Sequence, residues 1–108
     1  MYDILVIGAG IAGMTAGIYA KRAGKSVLLI EKMAQGGQIL ATDKIENYPA
    51  FSKITGNELA SKIWEQAKNL GVELKLAEVK SLKKLENHSF EISTDEGVFL
   101  GKTVIIAT

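Results

Sequence analysis

The sequence opens with an apolar run, Ile4 to Ile7, that leads directly into the pattern Gly8-x-Gly10-x-x-Gly13. A helical stretch follows, so this order predicts a strand, a tight turn and a helix start. Gly8 can adopt dihedrals closed to other residues, Gly10 lets the backbone approach a pyrophosphate, and Gly13 allows close packing of helix on strand. Phosphates would bind the unpaired N–H groups of the first helical turn. The pattern predicts the start of a dinucleotide-binding βαβ unit.

A second apolar run, Ser26 to Ile30, follows the predicted helix and leads into Glu31. This acid stands about 20 residues beyond the glycines, where such units place a carboxylate that accepts from a ribose hydroxyl. The alternative is a polar strand end before a loop. A glycine pattern alone is weak evidence, but the strands on both sides and Glu31 favour nucleotide binding.

The composition bounds the class of protein. With 108 residues, 47% of them hydrophobic, the chain is at most one globular domain. A net charge of +1 does not suggest a nucleic-acid partner. The absence of cysteine excludes a disulfide framework, a thiolate metal site and a CxxC redox centre within these residues. We find no signal peptide or membrane span, so we expect a cytoplasmic protein without a membrane partner.

The first helix is predicted from Ile11 to Ala23, with Gly24 as its C-cap. Val27 to Ile30 is continuously apolar, as is typical of a parallel strand covered on both faces. From Met33 to Ser52 the periodicity disappears, although apolar and aromatic residues argue against disorder. Within this loop, Gly36 and Gly37 would let backbone approach a ligand, and Gln38 offers an amide donor and acceptor. An ordinary structural excursion explains the loop equally well.

The second helix is predicted from its N-terminal signals. Thr55 is a candidate N-cap and Glu58 completes a capping box. Ile54 and Leu59 would form the hydrophobic staple beside it. The predicted buried stripe comprises Leu59, Ile63, Ala67 and Leu70, with Trp64 packing beside it and Gly71 closing the helix.

Short β-like segments fill the remainder of the chain. Val72 to Leu76 reads as a third parallel strand, and the segments after it are Val79 to Leu85, Ser89 to Thr94 and Val98 to Leu100. They predict an antiparallel β-meander inserted into a Rossmann-like parallel sheet, an α/β fold. Thr103 to Thr108 reads as a separate last strand, which we expect to form an uncovered sheet edge. His88, the only histidine, falls at a turn and is expected at the surface, with no metal role.

The whole chain resembles the N-terminal part of the FAD domain of low-molecular-weight thioredoxin reductases, flavoproteins with two dinucleotide-binding domains. The similarity rests on motifs spread from end to end: Gly8–Gly13, Glu31-Lys32, Gly36-Gly37-Gln38, Glu46-Asn47-Tyr48-Pro49, the helix start Thr55–Leu59 and the closing Val104–Thr108. GGQ followed by ENYP is much more specific than the glycine pattern. Residues 1–108 would then be the N-terminal portion of one FAD-binding domain, without its C-terminal part and without the NADPH domain.

The resemblance also implies a role for particular residues. The turn that contains Gly8, Gly10, Ile11, Ala12 and Gly13 would hold the FAD pyrophosphate, and Glu31 would hold the ribose of the adenosine half. Other contacts with the cofactor are implied for Lys32, Gly36, Gly37, Gln38, Asn47, Val79, Ala107 and Thr108. Within this set the segment from Glu31 to Gln38, with Asn47, would line the flavin and ribityl half, and Val79 would contact the adenine. No residue is assigned as a catalytic acid, base or nucleophile.

Two departures from the family pattern are small: Ile11 replaces a common proline, which is not required at a first helical position, and Ala50 replaces a common glycine. Full-length relatives use NAD(P)H to reduce the flavin, which passes electrons to a disulfide or another acceptor. The implied protein is a homodimer that serves a thioredoxin-like or other redox partner. The alternatives are a ferredoxin–NADP reductase-like protein, the flavoprotein partner of a peroxidase, a non-catalytic adenine-nucleotide module, or a structural fragment that self-associates.

Overall fold

The computed structural model describes all residues from Met1 to Thr108. Its helices are α1 (Ile11–Arg22) and α2 (Gly56–Asn69), with a short 3₁₀ helix at Gly37–Ala41. Its strands are β1 (Tyr2–Ile7), β2 (Val27–Glu31), β3 (Glu73–Leu76), β4 (Val79–Lys84), β5 (Phe90–Thr94) and β6 (Gly97–Ile106). No helix is long and apolar enough to cross a membrane.

All six strands belong to one sheet with the order β3-β2-β1-β6-β5-β4. The strands β3, β2, β1 and β6 run parallel to one another, whereas β5 pairs antiparallel with both β4 and β6. The connections from β1 to β2 and from β2 to β3 each contain a helix, as parallel crossovers require. The α/β class and the inserted meander are therefore confirmed.

The parallel strands are buried on two faces by different partners. Val6, Val27 and Leu29 lie in one core cluster with residues of both helices. Leu5, Leu28 and Ile30 lie in a second cluster. Ile92 of β5 belongs to this second cluster, so the meander folds over the sheet face opposite the helices. Alternate residues of β2 thus enter alternate cores, which confirms the prediction from its continuous apolar sequence.

The prediction of two separate strands, Val98–Leu100 and Thr103–Thr108, is wrong. A single strand, β6, runs through both, pairing with β5 over its first half and with β1 over its second. Gly101 resembles a break in sequence, but a Cβ there would lie 2.7 Å from the Leu5 side chain. The glycine therefore permits a close approach inside a continuous strand.

The expectation that the last strand forms an uncovered sheet edge is also wrong. β6 lies between β1 and β5, and the edges are formed by β3 and β4. The edge strand β4 carries lysines at 80, 83 and 84, all exposed, and charged side chains of this kind discourage edge-to-edge pairing. The self-association expected through an edge at Thr103–Thr108 therefore loses its structural basis.

The second helix follows its sequence signals closely. The capping box of Thr55 and Glu58 is present in both directions, and Leu59, Ile63 and Ala67 are buried. Leu70 departs from the prediction, because it is the C-cap residue and 40% exposed. Gly71 beyond it has a φ of 93°, as a helix-closing glycine requires. Trp64 is half-buried and packs against the first core cluster, which confirms its packing role.

The long loop is ordered by two features that the sequence did not reveal. Gly37–Ala41 forms the 3₁₀ helix, and the backbones of Ile45 and Ile54 exchange two hydrogen bonds, at 2.7 and 3.0 Å. Tyr48 and Phe51 form a tilted aromatic pair that packs against the core between those residues. Ala50 has a φ of 82°, a left-handed conformation that favours the glycine expected there. His88 also has a positive φ, 67°, and lies exposed in the turn between β4 and β5, as predicted.

Candidate nucleotide site

The glycine turn connects β1 to α1 at the carboxyl edge of the parallel strands. Gly8 has a φ of 107°, and a Cβ there would lie 2.5 Å from the carbonyl oxygen of Ala107. A Cβ on Gly13 would overlap the carbonyl of Gly8, with the Val6 side chain next at 3.5 Å. Gly13 therefore fits closely against the turn itself as well as against the strand. Both glycines are required by contacts within the chain.

Gly10 differs, because the space beside it is open. A Cβ there would approach only the carbonyl oxygen of Gly36, at 3.9 Å. As the N-cap of α1, Gly10 supplies no capping side chain, and the first turn contains no acidic residue. No hydrogen bond within the chain uses the N–H groups of Gly10, Ala12 or Gly13. An anion such as a pyrophosphate can therefore approach this backbone and find donors there.

Glu31, the last residue of β2, lies beside this turn. Its Oε1 accepts from the N–H of Ala9 at 3.0 Å, and its Oε2 accepts from the N–H of Met33 at 3.0 Å. Glu31 is therefore more than a polar residue at the end of a strand, because each of its carboxylate oxygens accepts a specific backbone hydrogen bond. A carboxylate offers about four lone-pair sites, so acceptor capacity remains for a ligand hydroxyl.

The loop after β2 returns to the glycine turn. Gly36 donates its N–H to the carbonyl of Ala9 at 2.7 Å, and Gly10 and Gly36 form a parallel bridge. A Cβ on Gly37 would lie 3.2 Å from the Cα of Gly10. Gly36 and Gly37 both have positive φ, 113° and 62°. The glycine pair therefore brings the loop backbone close to the first turn, while its expected approach to a ligand stays a prediction.

The start of α2 holds the same loop from its other side, a contact that we did not predict. A Cβ on Gly36 would lie 2.7 Å from the Cβ of Ala60. Gly56 donates to the carbonyl of Thr42 at 2.8 Å, and a Cβ on Gly56 would overlap the carbonyl of Ile39. The only signal in the sequence was the small residue type at these positions. The loop is therefore clamped between the glycine turn and α2.

The other predicted site residues are distributed unevenly around this centre. Ala107 donates its N–H to the carbonyl of Ile7 at 2.8 Å and so continues the β6–β1 pairing next to the turn. Val79 is half-buried against the second core cluster. At the start of α1, Ile11 is half-buried and Ala12 is exposed. Lys32, Gln38, Asn47 and Thr108 have exposed side chains that make no hydrogen bond within the chain.

Two groups at the opposite, amino edge of the sheet have shifted pKa values. The N–H of Ser26, the Lys102 ammonium and the Ser26 hydroxyl hold the pKa of Asp3 down to about 2. Burial, with the nearby carboxylate of Glu73, raises the pKa of Tyr2. Asp3 accepts from Ser26 N at 2.8 Å and pairs with Lys102 Nζ at 3.2 Å. This network ties together the starts of β1 and β2 and the middle of β6, away from the candidate site.

Comparison with known proteins identifies the relatives of this chain. The family model for pyridine nucleotide-disulphide oxidoreductases matches residues 2–108. Thioredoxin reductase of Ureaplasma parvum is 41% identical over 108 residues, which are all of this chain and 35% of that protein. The enzyme of Bacillus subtilis is 46% identical over 82 residues, 76% of this chain and 26% of its own length.

A solved structure agrees with these sequence relatives. The crystal structure of thioredoxin reductase from Streptococcus pyogenes matches the whole of this chain, at 44% sequence identity and a TM-score of 0.96. The matched part is 35% of that enzyme's chain. The chain therefore spans about a third of the length of the relatives it matches. The resemblance drawn from the motifs is confirmed, and the chain belongs to the pyridine nucleotide-disulphide oxidoreductase family.

Proposed function

We propose that these residues are the FAD-binding lobe of an NAD(P)H-dependent flavin oxidoreductase of the thioredoxin reductase type. The observation that carries the proposal is the open glycine turn, with unpaired N–H groups at Gly10, Ala12 and Gly13 beside the Glu31 carboxylate. Thioredoxin reductases among the relatives support this choice over a ferredoxin–NADP reductase-like protein or a peroxidase partner.

The residues present fit an adenine dinucleotide. The N–H groups at the start of α1 would donate to the pyrophosphate, where the positive end of the helix dipole favours negative charge. Gly10 would leave room for that group, since its Cβ position is open. Glu31 would accept from a ribose hydroxyl through lone pairs that Ala9 and Met33 do not use. FAD, when bound, supplies the redox chemistry, and the protein supplies binding and orientation.

The finer assignments remain part of this proposal. Ile11 would contribute its N–H group beside those of Ala12 and Gly13. Along the cofactor, contacts are proposed for Lys32, Gly36, Gly37, Gln38, Asn47, Val79, Ala107 and Thr108. For the full-length protein we propose NAD(P)H as the electron donor, a thioredoxin-like acceptor, a homodimer and a cytoplasmic location.

The test is a titration of the purified 108-residue chain with FAD, followed by the visible absorbance of the flavin. Gly10→Val should abolish binding, because its side chain would occupy the space of the pyrophosphate. Ser61→Val, at an exposed position of α2, serves as the control and should bind normally. Circular dichroism should show that all three proteins are folded. FAD binding of equal affinity in the parent chain and Gly10→Val would refute the proposal. Binding of ADP without FAD would instead indicate an adenine-nucleotide module.

A further inference from the structure

Both backbone polar atoms of Ala9, in the middle of the glycine turn, are hydrogen-bonded within the chain. Its N–H donates to Glu31 Oε1 at 3.0 Å, and its carbonyl accepts from the N–H of Gly36 at 2.7 Å. Ala9 is fully buried. The N–H of Ala9 is therefore not free to donate to a phosphate. The orientation of the backbone at Ala9 is set by Glu31, at the end of β2, and by Gly36, in the loop that follows.

Glu31 also fixes the start of that segment. While Oε1 accepts from Ala9, Oε2 accepts from the N–H of Met33 at 3.0 Å. One carboxylate thus joins the glycine turn to the loop that carries Gly36. The hydrogen bonds from Ala9 and Met33 each need one carboxylate oxygen, and both oxygens must reach these N–H groups at the same time. Aspartate is one methylene shorter and cannot reach both N–H groups from the same backbone position, although it retains the charge.

We propose that Glu31 is a positioning residue, which shapes the glycine turn before any nucleotide arrives. This inference rests on the proposed function only for its consequence, because the hydrogen bonds themselves belong to the ligand-free chain. A site held in its binding conformation loses less ordering entropy on association. Glu31 should therefore contribute to affinity by holding the turn in shape, in addition to any contact with a ribose hydroxyl.

The first experiment uses the ligand-free chain. Amide hydrogen exchange, measured by NMR, compares the parent chain with Glu31→Asp and with the control Glu65→Asp, an exposed acid on α2. We expect exchange at Ala9 or Met33 to accelerate about tenfold in Glu31→Asp, the scale of one hydrogen bond to a charged group. Exchange in the centres of β1 and β2 should stay unchanged in both variants. Unaltered exchange at both Ala9 and Met33 would overturn the inference.

The second experiment separates positioning from contact with the ribose. Affinities are measured for ADP and for 2′,3′-dideoxyadenosine diphosphate, which lacks both ribose hydroxyls. If Glu31 positions the turn, Glu31→Asp should weaken the dideoxy ligand about tenfold, and a contact with the ribose would add to the loss for ADP alone. A loss confined to ADP would show that Glu31 acts on the ribose alone and would overturn the inference. FAD and ADP binding that Gly10→Val leaves unchanged would refute the proposed function, while the exchange experiment would still decide the role of Glu31.

Discussion

The two helices of this chain begin in opposite ways. At the start of α2, the Thr55 hydroxyl accepts from Glu58 N at 3.1 Å, and the Glu58 side chain accepts in return. At the start of α1, Gly10 supplies no side chain and the first turn has no acid. Helix N-termini leave four N–H groups without helical partners. The α2 helix satisfies part of its set internally, while α1 leaves the N–H groups of Gly10, Ala12 and Gly13 open.

The difference follows the position of each helix in the fold. α1 begins at the carboxyl edge of parallel strands, where open α/β sheets bind their ligands. α2 begins behind the loop of Gly36 and Gly37 and holds that loop through Gly56 and Ala60. A self-capped terminus suits a supporting element, and an open terminus suits a binding element.

Gly13→Ala should unfold the chain or destabilise it by about 4 kcal/mol, since the new Cβ would overlap the carbonyl of Gly8. The matched control is Gly10→Ala, the same change three residues earlier in the same turn. There the nearest atom lies 3.9 Å away, and the stability should fall by no more than about 1 kcal/mol, because alanine is a poorer N-cap than glycine. Urea unfolding measures both. Similar losses in the two variants would contradict the distinction between a packing glycine and a binding glycine.

Gly10→Asp would give α1 the cap that α2 already has. Gly10 has an extended backbone, φ −75° and ψ −168°, which an N-cap aspartate can adopt. We expect the stability to rise by a few tenths of a kcal/mol, because glycine is itself a tolerated cap. FAD affinity should fall about a hundredfold, as the carboxylate would occupy and repel the phosphate position. Thermal unfolding measures the stability and titration with FAD measures the affinity. A variant in which stability and FAD affinity both rise, or both fall, would contradict this prediction.

Thr55→Ala would open the terminus of α2. Loss of the capping box should cost about 1 kcal/mol of stability, since the N–H of Glu58 loses its acceptor. FAD affinity, measured well below the unfolding temperature, should remain that of the parent chain. Thr55→Ser retains the hydroxyl and is the control, with nearly full stability expected. A large loss of affinity in Thr55→Ala alone would show that the two termini are coupled.

Asp3→Asn tests the amino edge of the sheet, far from both helix starts. The folded-state pKa of Asp3 is about 2, below its usual value, so its ionised form stabilises the fold. That contribution is fully present above about pH 4 and is lost as the pH falls through about 2. Asp3→Asn should therefore be less stable than the parent chain at pH 7, with a difference that shrinks on acidification. Thermal unfolding from pH 7 to 3 measures it, and a constant difference would exclude an electrostatic origin.

Local patterns were sufficient wherever a residue acts on its sequence neighbours. Thr55 and Glu58 stand three residues apart and cap one helix turn, so their types alone predicted the bond. The same holds for β2, whose uninterrupted apolar residues indicated burial on both faces. Gly101 shows the limit of such patterns. The two predicted strands lie on either side of it, because nothing in the neighbouring sequence indicates that the Leu5 side chain would lie beneath it.

The candidate site likewise contains some features that follow from local sequence and others that follow from long-range contacts. The glycine turn, the carboxylate at the end of β2 and the cap of α2 were predictable, because each depends on residue type and short spacing. The position of β6 in the middle of the sheet and the contact of Gly36 with the glycine turn became evident in the folded structure alone. The same holds for the hydrogen bond between Glu31 and Ala9, 22 positions apart. Such contacts depend on how segments far apart in the sequence meet in the packed core, and a local sequence pattern carries no information about which distant segments meet.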